Sequence, residues 1–196
     1  MKLGMSCYCL DPAMASGQMT VDDVVDYAVA HGCEHIEFVP FRLAFVAPER
    51  TLDWELIDHV REKCKSAGIE ISTYSVNADL LKTDPGEEAG EIERVKRHID
   101  AAQGLGLSRM RFDVASFRRP FSTNTIYDFN REFPQMVRNG TILCDYAAEK
   151  GITIVMENHG FFINGSERIL RLIEAIDRPN LKMTVDVGNF LCVDED

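Results

Sequence analysis

The feature of this sequence that most limits its fold is a regular alternation of short apolar or β-branched runs with amphipathic helical segments. Strands that alternate with helices usually pair in parallel, because a parallel connection needs a crossover long enough to hold a helix. Six candidate strands can be counted, near residues 2–9, 35–39, 70–77, 109–114, 153–158 and 182–187. The sequence therefore predicts an α/β fold built around a parallel sheet.

Helix boundaries support this interpretation. Thr20 is a favourable N-cap residue and Asp23 follows three residues later, which is the spacing of a capping box before an apolar stripe that ends at Gly32. Ser166 is predicted to cap the helix after the fifth strand in the same manner. Each predicted helix then leads into the next predicted strand.

The number of repeating units is lower than a closed barrel requires. Six units in 196 residues correspond to about 33 residues per unit, whereas a barrel of eight units typically needs about 250 residues. We therefore expect one incomplete barrel domain over residues 1–196, with two units missing. Two explanations remain open: the chain is a truncated form, or a complementing chain or second copy completes the barrel.

Composition excludes several classes of partner. The formal net charge of −11 argues against binding to nucleic acid, which depends on clustered lysine and arginine. The N-terminus lacks the long apolar core of a secretory signal, and no stretch approaches the roughly 20 apolar residues that cross a bilayer. The six cysteines show no CxxC spacing and are expected to be reduced. We expect a cytoplasmic protein that does not bind membranes.

Charged residues alternate with apolar residues in four of the predicted strands. By this alternation Glu37, Arg111, Asp113, Glu157 and Asp186 face the barrel interior, while their strand neighbours face the outer helices. Burying a carboxylate without compensation is costly, so these groups must be paired, hydrogen-bonded or bound to a cation. The interior at the carboxyl ends of the strands is therefore the predicted site.

Glu157 and Asp186 end adjacent predicted strands, which places their oxygens near each other. Such a pair suits Mg²⁺ or Mn²⁺ or, together with histidine, Zn²⁺ or Co²⁺. The alternative is a structural ion pair with Arg111. His159 lies on the same face as Glu157 and is predicted to contact substrate hydroxyls or the metal's surroundings, the alternative being a structural loop histidine.

Three further expectations concern neighbouring residues. Glu37, Arg111 and Asp113 are interpreted either as substrate contacts or as an internal salt-bridge network. Val185 and Val187, which alternate with interior residues, are expected on the apolar side of the sixth strand. Two adjacent arginines at residues 118 and 119, in the long segment after the fourth strand, either hold a phosphate or are solvated.

Two short strings carry a family resemblance. Residues 154–160 read IVMENHG and residues 184–189 read TVDVGN. Two further strings support them, GCEHIE at residues 32–37 and RHIDAA at residues 97–102. In these strings the chain resembles the xylose isomerase-like sugar phosphate isomerase/epimerase family. The resemblance covers the whole chain.

The resemblance implies a (β/α)₈ TIM barrel, of which about six βα units are present, and a divalent metal held by Glu, Asp, His and Glu from the fifth to eighth strands. Glu157 and Asp186 match the first two ligands, and the later His and Glu have no counterpart. His159 and Asn189 match positions that often face substrate. Some ketose 3-epimerases of the family have His where Asn189 stands, so the resemblance does not assign that subfamily.

The resemblance also implies a reaction. In such enzymes the metal polarises a carbonyl and the adjacent hydroxyl of a sugar or sugar phosphate, one glutamate removes the neighbouring proton, and a second glutamate returns a proton elsewhere. Glu157 corresponds to the first base. Since the second glutamate has no counterpart, we expect the chain alone to be inactive or nearly so.

Other functions share this barrel. A dehydratase of inosose or dehydroshikimate type would use the same metal to enolise its substrate. A phosphodiesterase of the endonuclease IV type would need more metal-binding histidines and a basic DNA-facing surface, against which the five histidines and the acidic balance speak. A non-catalytic subunit would use its half-site only with a partner chain.

Overall fold

The computed structural model describes residues 2–193, and its secondary structure follows the predicted alternation. The order of the strands in the sheet is that of the chain. The strands are β1 (Gly4–Ser6), β2 (His35–Phe38), β3 (Glu70–Val76), β4 (Arg109–Phe112), β5 (Thr153–Glu157) and β6 (Leu181–Thr184). Each overlaps its predicted segment, and the parallel α/β class is confirmed.

Helices fill the connections between the strands. They are α1 (Asp11–Ala15), α2 (Val21–Ala30), α3 (Trp54–Ala67), α4 (Pro85–Gly104), α5 (Ile126–Glu149), α6 (Gly160–Ile163), α7 (Ser166–Ile176) and α8 (Val187–Phe190). Short 3₁₀ helices cover Cys7–Leu10, Phe121–Thr123 and Leu191–Val193. Among residues 2–193, no helix combines the length and apolar composition that a membrane crossing requires.

The chain divides into two compact units. The first unit comprises Met1–Val76 and Arg97–Met110, and the second unit comprises Asn77–Lys96 and Arg111–Asp196. The division places most of the predicted site residues in the second unit and Glu37 in the first. The assignment of residues 1–196 to a single domain stays a prediction.

In the first unit, β1, β2 and β3 form a parallel ladder. Met5 pairs with Ile36, and the register between β2 and β3 shifts between Ile36 and Glu37, so that Glu37 lies opposite Thr73. In β2 the apolar residues Ile36 and Phe38 are fully buried, which confirms the predicted alternation on this strand. The alternation leaves Glu37 on the opposite face.

Helix α2 packs against this ladder as its sequence predicts. The Thr20 side chain accepts a hydrogen bond from the Asp23 backbone N–H at 3.3 Å, and the Asp23 carboxylate accepts one from the Thr20 backbone N–H at 2.7 Å. This reciprocal capping box confirms the predicted start of the helix. The buried stripe then consists of Val24, Val25 and Ala28.

In the second unit, β5 and β6 pair in parallel, with Ile154 opposite Leu181 and Glu157 opposite Thr184. Ile154 and Met156 are fully buried beneath α5 and α7, as the alternation predicts. The opposite face of β5 therefore carries Glu157 at the carboxyl end of the strand, where the second unit's polar groups collect.

Two local predictions are wrong. Gly165, not Ser166, is the N-cap of α7, because the helical hydrogen bonding begins one residue earlier than its polar side chain suggests. Val185 and Val187 are 57% and 78% exposed, since β6 ends at Thr184 and neither valine lies in the strand. The apolar side expected for these two valines therefore does not form within the described residues.

Candidate functional site

The site residues of the second unit lie at or just after the carboxyl ends of β4, β5 and β6. Arg111 is in β4 and Asp113 follows it, Glu157 ends β5, and Asp186 follows β6. Side chains that follow parallel strands meet at one edge of the sheet, which is where α/β enzymes place their reactive groups. Direct contacts join the side chains of Arg111, Asp113 and Glu157, and Asn189 connects Glu157 to Asp186.

Arg111 links the two inner carboxylates. Its Nη2 donates a hydrogen bond to Asp113 Oδ1 at 2.6 Å, and its Nε forms an ion pair with Glu157 Oε2. The side chains of Arg111, Asp113 and Glu157 are only 11%, 3% and 15% exposed. At such burial an uncompensated charge is costly, and the guanidinium of Arg111 offers both carboxylates a compensating positive charge. The ion pair with Arg111, given above as the alternative to a metal for Glu157 and Asp186, is present for Glu157.

His159 extends the same cluster. Its Nδ1 lies 3.1 Å from Asp113 Oδ1, and its ring lies 5.9 Å from the ring of Phe117. The hydrogen bond to Asp113 raises the pKa of His159 above its usual value, against the opposing effect of burial. The contact orients the ring and leaves Nε2 as the nitrogen available to a ligand.

The other oxygen of Asp113 lacks a partner. Asp113 Oδ2 is buried and accepts no hydrogen bond within residues 2–193. Buried carboxylate oxygens are normally satisfied by a donor, a cation or an ordered water. This oxygen therefore marks a position where a ligand hydroxyl, a cation or a water completes the cluster.

Glu157 has a raised pKa, which is a property of a general base. Burial is the main influence on the carboxyl group and raises its pKa, while the positive charges of Arg111 and His159 act in the opposite direction. Its Oε1 accepts a hydrogen bond from Asn189 Nδ2 at 3.3 Å. A raised pKa makes a carboxylate a stronger proton acceptor.

Asn158 is a structural residue that the sequence analysis did not single out. Its side chain is fully buried, donates to the Asp186 carbonyl at 2.9 Å and accepts from the Asp186 backbone N–H at 2.8 Å. This pair of hydrogen bonds joins the end of β5 to the chain after β6. The only signal for it was its place between Glu157 and His159.

Asp186 begins α8 as its N-cap. Its Oδ1 accepts hydrogen bonds from the backbone N–H groups of Gly188 at 2.9 Å and Asn189 at 3.3 Å. Its Oδ2 accepts no hydrogen bond within the described part of the chain. One oxygen of Asp186 is thus used in the fold, and the other remains available to a ligand.

The donors of the second unit fit a divalent metal in part. Glu157 and Asp186 offer carboxylate oxygens, and Asn189 touches both residues, which places the two carboxylates on one side of the cluster. Within residues 2–193, however, no three His, Cys, Asp or Glu side chains are grouped as a metal site. Hard cations accept water and substrate oxygens as further ligands, so a two-carboxylate set fits such an ion as an incomplete site.

Glu37 lies in β2, in the first unit. Its Oε1 accepts a hydrogen bond from the hydroxyl of Ser75, which is 2% exposed. The described contacts of Glu37 thus involve a neutral hydroxyl and not a cation. They support the hydrogen-bonded form of compensation that the sequence left open.

The two arginines after β4 differ in their contacts. Arg119 forms ion pairs with Glu132, the shortest at 2.7 Å, and lies over the ring of Phe162. Arg118 lies over the ring of Phe117, 5.4 Å from its centroid. Arg119 is therefore neutralised by the protein itself, which disfavours it as a phosphate ligand.

A family model described as xylose isomerase-like TIM barrel matches residues 25–196. No curated protein sequence matches the chain.

Several solved structures share the fold. D-psicose 3-epimerase with D-tagatose, from Clostridium cellulolyticum H10, is similar with a TM-score of 0.79 and 15% identity, over 100% of this chain and 67% of that one. D-allulose 3-epimerase from Methylomonas sp., in complex with D-allulose, has a TM-score of 0.73 and 19% identity, over 100% of this chain and 65% of that one. The "probable 3-DHS dehydratase AsbF" of Bacillus anthracis has a TM-score of 0.74 and 18% identity, over 98% of this chain and 69% of that one. At these identities the similarity shows the fold alone, and this chain spans about two thirds of each structure.

Proposed function

Since the chain belongs to the xylose isomerase-like TIM barrel family, we propose that it carries the proton-abstracting part of a divalent-metal-dependent site that isomerises or epimerises a small sugar or sugar phosphate. Glu157 is the proposed base, and Glu157 and Asp186 are the proposed metal ligands. The observation that carries the proposal is Glu157 itself, a carboxylate buried at a strand end with a raised pKa. Such a group in a polar cluster is typical of general-base catalysis.

A bound divalent cation would supply polarisation of a substrate carbonyl and the hydroxyl beside it, which acidifies the neighbouring C–H. Mn²⁺ and Mg²⁺ are the first candidates because the donors offered are carboxylate oxygens, and Zn²⁺ or Co²⁺ would favour an added histidine. The remaining ligands would come from water, from the substrate or from groups outside the described residues.

The proton step follows from the contacts of Glu157. Its Oε2 is held by Arg111, so Oε1, whose hydrogen bond to Asn189 is long at 3.3 Å, is the oxygen free to accept a proton. The C–H bond breaks, the proton moves to Oε1, and the electron pair of that bond shifts toward the carbonyl oxygen. Return of a proton to the other face or to the adjacent carbon gives the epimer or the isomer.

The surrounding residues receive positioning roles. His159 Nε2 would contact a substrate hydroxyl while Asp113 holds the opposite ring nitrogen, and Asp113 Oδ2 would accept from a second hydroxyl. Asn189 would hold the carboxylate of Glu157 and face the substrate. Arg111 is proposed as a further substrate contact and also serves as the internal counter-ion. The substrate contact expected of Glu37, in the first unit, stays a prediction.

A dehydratase is the second candidate, because a structure described as a dehydratase shares the fold over 98% of this chain. Both reactions begin with removal of the same type of proton, and a dehydratase then expels a hydroxyl from the next carbon as water. Analysis of the product, for a new carbon–carbon double bond or a new stereocentre, separates the two.

Solvent exchange tests the shared first step. The chain, loaded with Mn²⁺ in D₂O, is incubated with D-fructose, D-tagatose or D-allulose, and loss of the proton next to the carbonyl is followed by NMR. We expect exchange that requires the metal and that falls by about 100- to 10,000-fold in Glu157→Gln, the usual contribution of a general base.

The control for this experiment is Glu167→Gln. Glu167 is 69% exposed on α7, where it pairs with Arg171 at 3.3 Å, so the same chemical change there should leave exchange unaltered. Equal rates in the two variants, or exchange that ignores the metal, would contradict the assignment of Glu157 as the base.

We also propose that the protein acts in the cytoplasm. All six cysteines lie within the described residues and are free thiols, the state that a reducing compartment maintains. Burial raises the pKa of Cys64 and of Cys144 to about 12, which keeps these thiols unreactive. The net charge of −11 supports a small molecule, and not nucleic acid, as the ligand.

A further inference from the structure

Arg168 in α7 is a half-buried cation that has no carboxylate partner among residues 2–193. No Asp or Glu oxygen lies within 4.0 Å of its guanidinium in the described part of the chain. Its Nη1 donates to the backbone carbonyls of Asn124 at 3.1 Å and Phe162 at 2.9 Å, which fixes the group in place. Burial lowers the pKa of Arg168, so the fixed charge is also poorly solvated.

The arginine lines a cavity of about 230 Å³. Two aromatic rings, those of Phe121 and Phe161, form one part of the wall, and they meet edge to face with centroids 5.6 Å apart. The cavity is smaller than the roughly 300–1,000 Å³ typical of pockets for drug-sized molecules. It therefore suits a small group. The lining residues are Phe121, Asn124, Phe161, Gly165, Arg168, Cys192 and Val193.

A second polar atom of this cavity lacks a partner. Asn124 Oδ1 is buried and accepts no hydrogen bond within residues 2–193. Since buried polar atoms are almost always satisfied, this acceptor needs an O–H or N–H from outside the described residues. Among residues 2–193, the cavity thus combines a cation and an acceptor that both lack partners with aromatic surface.

We propose that the cavity, here called the Arg168 pocket, binds a small hydroxylated oxyanion: a phosphate or carboxylate group carried on a carbohydrate-sized molecule. Nε and Nη2 of Arg168, which make no hydrogen bond within residues 2–193, would hold the anionic oxygens. A hydroxyl of the ligand would donate to Asn124 Oδ1, and its C–H surface would pack on Phe121 and Phe161. The assignment concerns binding alone and does not depend on the catalytic role of Glu157.

The two arginines chosen from the sequence suit this role less well. Arg119 already pairs with Glu132 at 2.7 Å, and Arg118 lies on the ring of Phe117 outside the cavity lining. Arg168 was not identified from the sequence, because its neighbour Glu167 makes it look like one of a pair of surface charges. The structure shows that Glu167 pairs with Arg171, whereas Arg168 lines the cavity.

Cys192 provides a direct readout, since its thiol is exposed and lines the pocket. The wild-type chain is alkylated with iodoacetamide in inorganic phosphate, or in sodium chloride of equal ionic strength, and labelling of each cysteine is followed by mass spectrometry. We expect phosphate to slow alkylation of Cys192 several-fold. Cys9 is exposed in the first unit and should be labelled equally in both salts.

Two variants on one helix then test the arginine. Arg168→Met keeps an aliphatic stem but removes the charge, and we expect phosphate affinity to fall by about 10- to 100-fold, as the loss of charge-assisted hydrogen bonds implies. Arg171→Met is the matched control, because Arg171 lies 5.1 Å from the centroid of the same Phe129 ring that Arg168 covers, yet it does not line the pocket. Arg168→Lys keeps a positive charge and should retain part of the phosphate affinity. Retained affinity in this variant would show that the loss in Arg168→Met comes from the missing charge and not from misfolding.

The source of the anion is identified with D-fructose 6-phosphate, D-gluconate and D-fructose as probes. Protection of Cys192 by the phosphate ester alone assigns a phosphate pocket, and protection by gluconate alone assigns a carboxylate pocket. Equal protection by neutral fructose, or phosphate protection that survives in Arg168→Met, would overturn the proposal. So would protection that appears only after residues 194–196, Asp-Glu-Asp, are deleted, because an acidic segment of the chain would then be the occupant.

Discussion

Glu37 in the first unit and Glu157 in the second unit occupy similar positions, since each alternates with fully buried apolar residues along its strand. Their partners differ. Glu37 accepts a hydrogen bond from the neutral hydroxyl of Ser75, whereas Glu157 is paired with the guanidinium of Arg111 and also bonded to Asn189. The same strand pattern therefore produces a locally satisfied carboxylate in one unit and an extended network of charges in the other.

The difference has an energetic consequence. A hydrogen bond from a hydroxyl to a carboxylate typically contributes about 1.5–3 kcal/mol, and its loss is limited to that contact. Removing the cation from a buried network leaves carboxylates without compensation and costs about 3–5 kcal/mol. The second unit should therefore be more sensitive to a change of one polar side chain than the first.

The largest expected effect is that of Arg111→Met. Because Arg111 compensates both Asp113 and Glu157, its loss should lower the free energy of unfolding by about 3–5 kcal/mol, measured by urea denaturation at neutral pH. Ser75→Ala in the first unit should cost less, about 1.5–3 kcal/mol. Combining Arg111→Met with Glu157→Gln should recover part of the loss. Similar costs for the two single variants would remove the distinction between the units.

A smaller effect is expected where side chains join neighbouring strands. In the second unit Asn158 makes two hydrogen bonds with the backbone of Asp186, so Asn158→Ala should lower the free energy of unfolding by about 2–3 kcal/mol. In the first unit the Ser72 hydroxyl donates one bond, to the Ile36 carbonyl at 3.1 Å. Ser72→Ala should cost about 1 kcal/mol. Thermal unfolding of both variants measures the two losses of stability. An equal fall in the melting temperature would contradict the expected difference between Asn158→Ala and Ser72→Ala.

Much of this architecture could be predicted from the sequence because it depends on local periodicity. Alternation along a strand fixes which residues face the same side, so the placing of Glu157 and His159 on one face followed from the spacing of Ile154 and Met156. The capping box at Thr20 is similarly local, since both partners lie within one helical turn.

The partners of the charged residues could not be predicted in the same way. Alternation places Arg111 and Asp113 on one face but does not show that one guanidinium spans Asp113 and Glu157, residues 44 positions apart. Asn158 was missed because strand alternation directs it away from Glu157, and its role depends on the backbone of Asp186, which follows another strand. Val185 was misplaced because a strand end depends on pairing, which periodicity does not report.

Two glycines with similar positive φ angles, one in each unit, allow the tightness of packing in the two units to be compared. Gly160 in the second unit has φ +66°, and an added Cβ would lie 3.2 Å from the Cα of Phe117; Gly32 in the first unit has φ +76° and open space around that position. Gly32→Ala should cost about 1 kcal/mol from its backbone conformation alone. Gly160→Ala should cost about 1 kcal/mol more, because the contact also displaces Phe117 beside His159. Urea denaturation of the pair tests this, and equal costs would show that Phe117 yields freely.

The smallest expected effect concerns acid stability. Hydrogen bonds from Asn139, and then from Gln135 and Arg138, hold the pKa of Glu88 below its usual value of 4.5. A carboxyl whose pKa is lower in the folded state stabilises the protein above its unfolded pKa, and the contribution is lost as pH falls through the folded value. Glu88→Gln should therefore reduce stability at pH 7 by less than about 1 kcal/mol and flatten its decline below pH 4.5.

Glu70 in the first unit is the matched carboxylate for this measurement. Its pKa is lowered chiefly by a hydrogen bond from Lys2, but the two side chains are 46% and 61% exposed, so water and salt screen their attraction. Glu70→Gln should flatten the acid decline in stability less than Glu88→Gln does, since the same charge is lost without enclosure by several donors. A flattening as large as that of Glu88→Gln would mean that net charge, and not the enclosure found in the second unit, controls stability in acid.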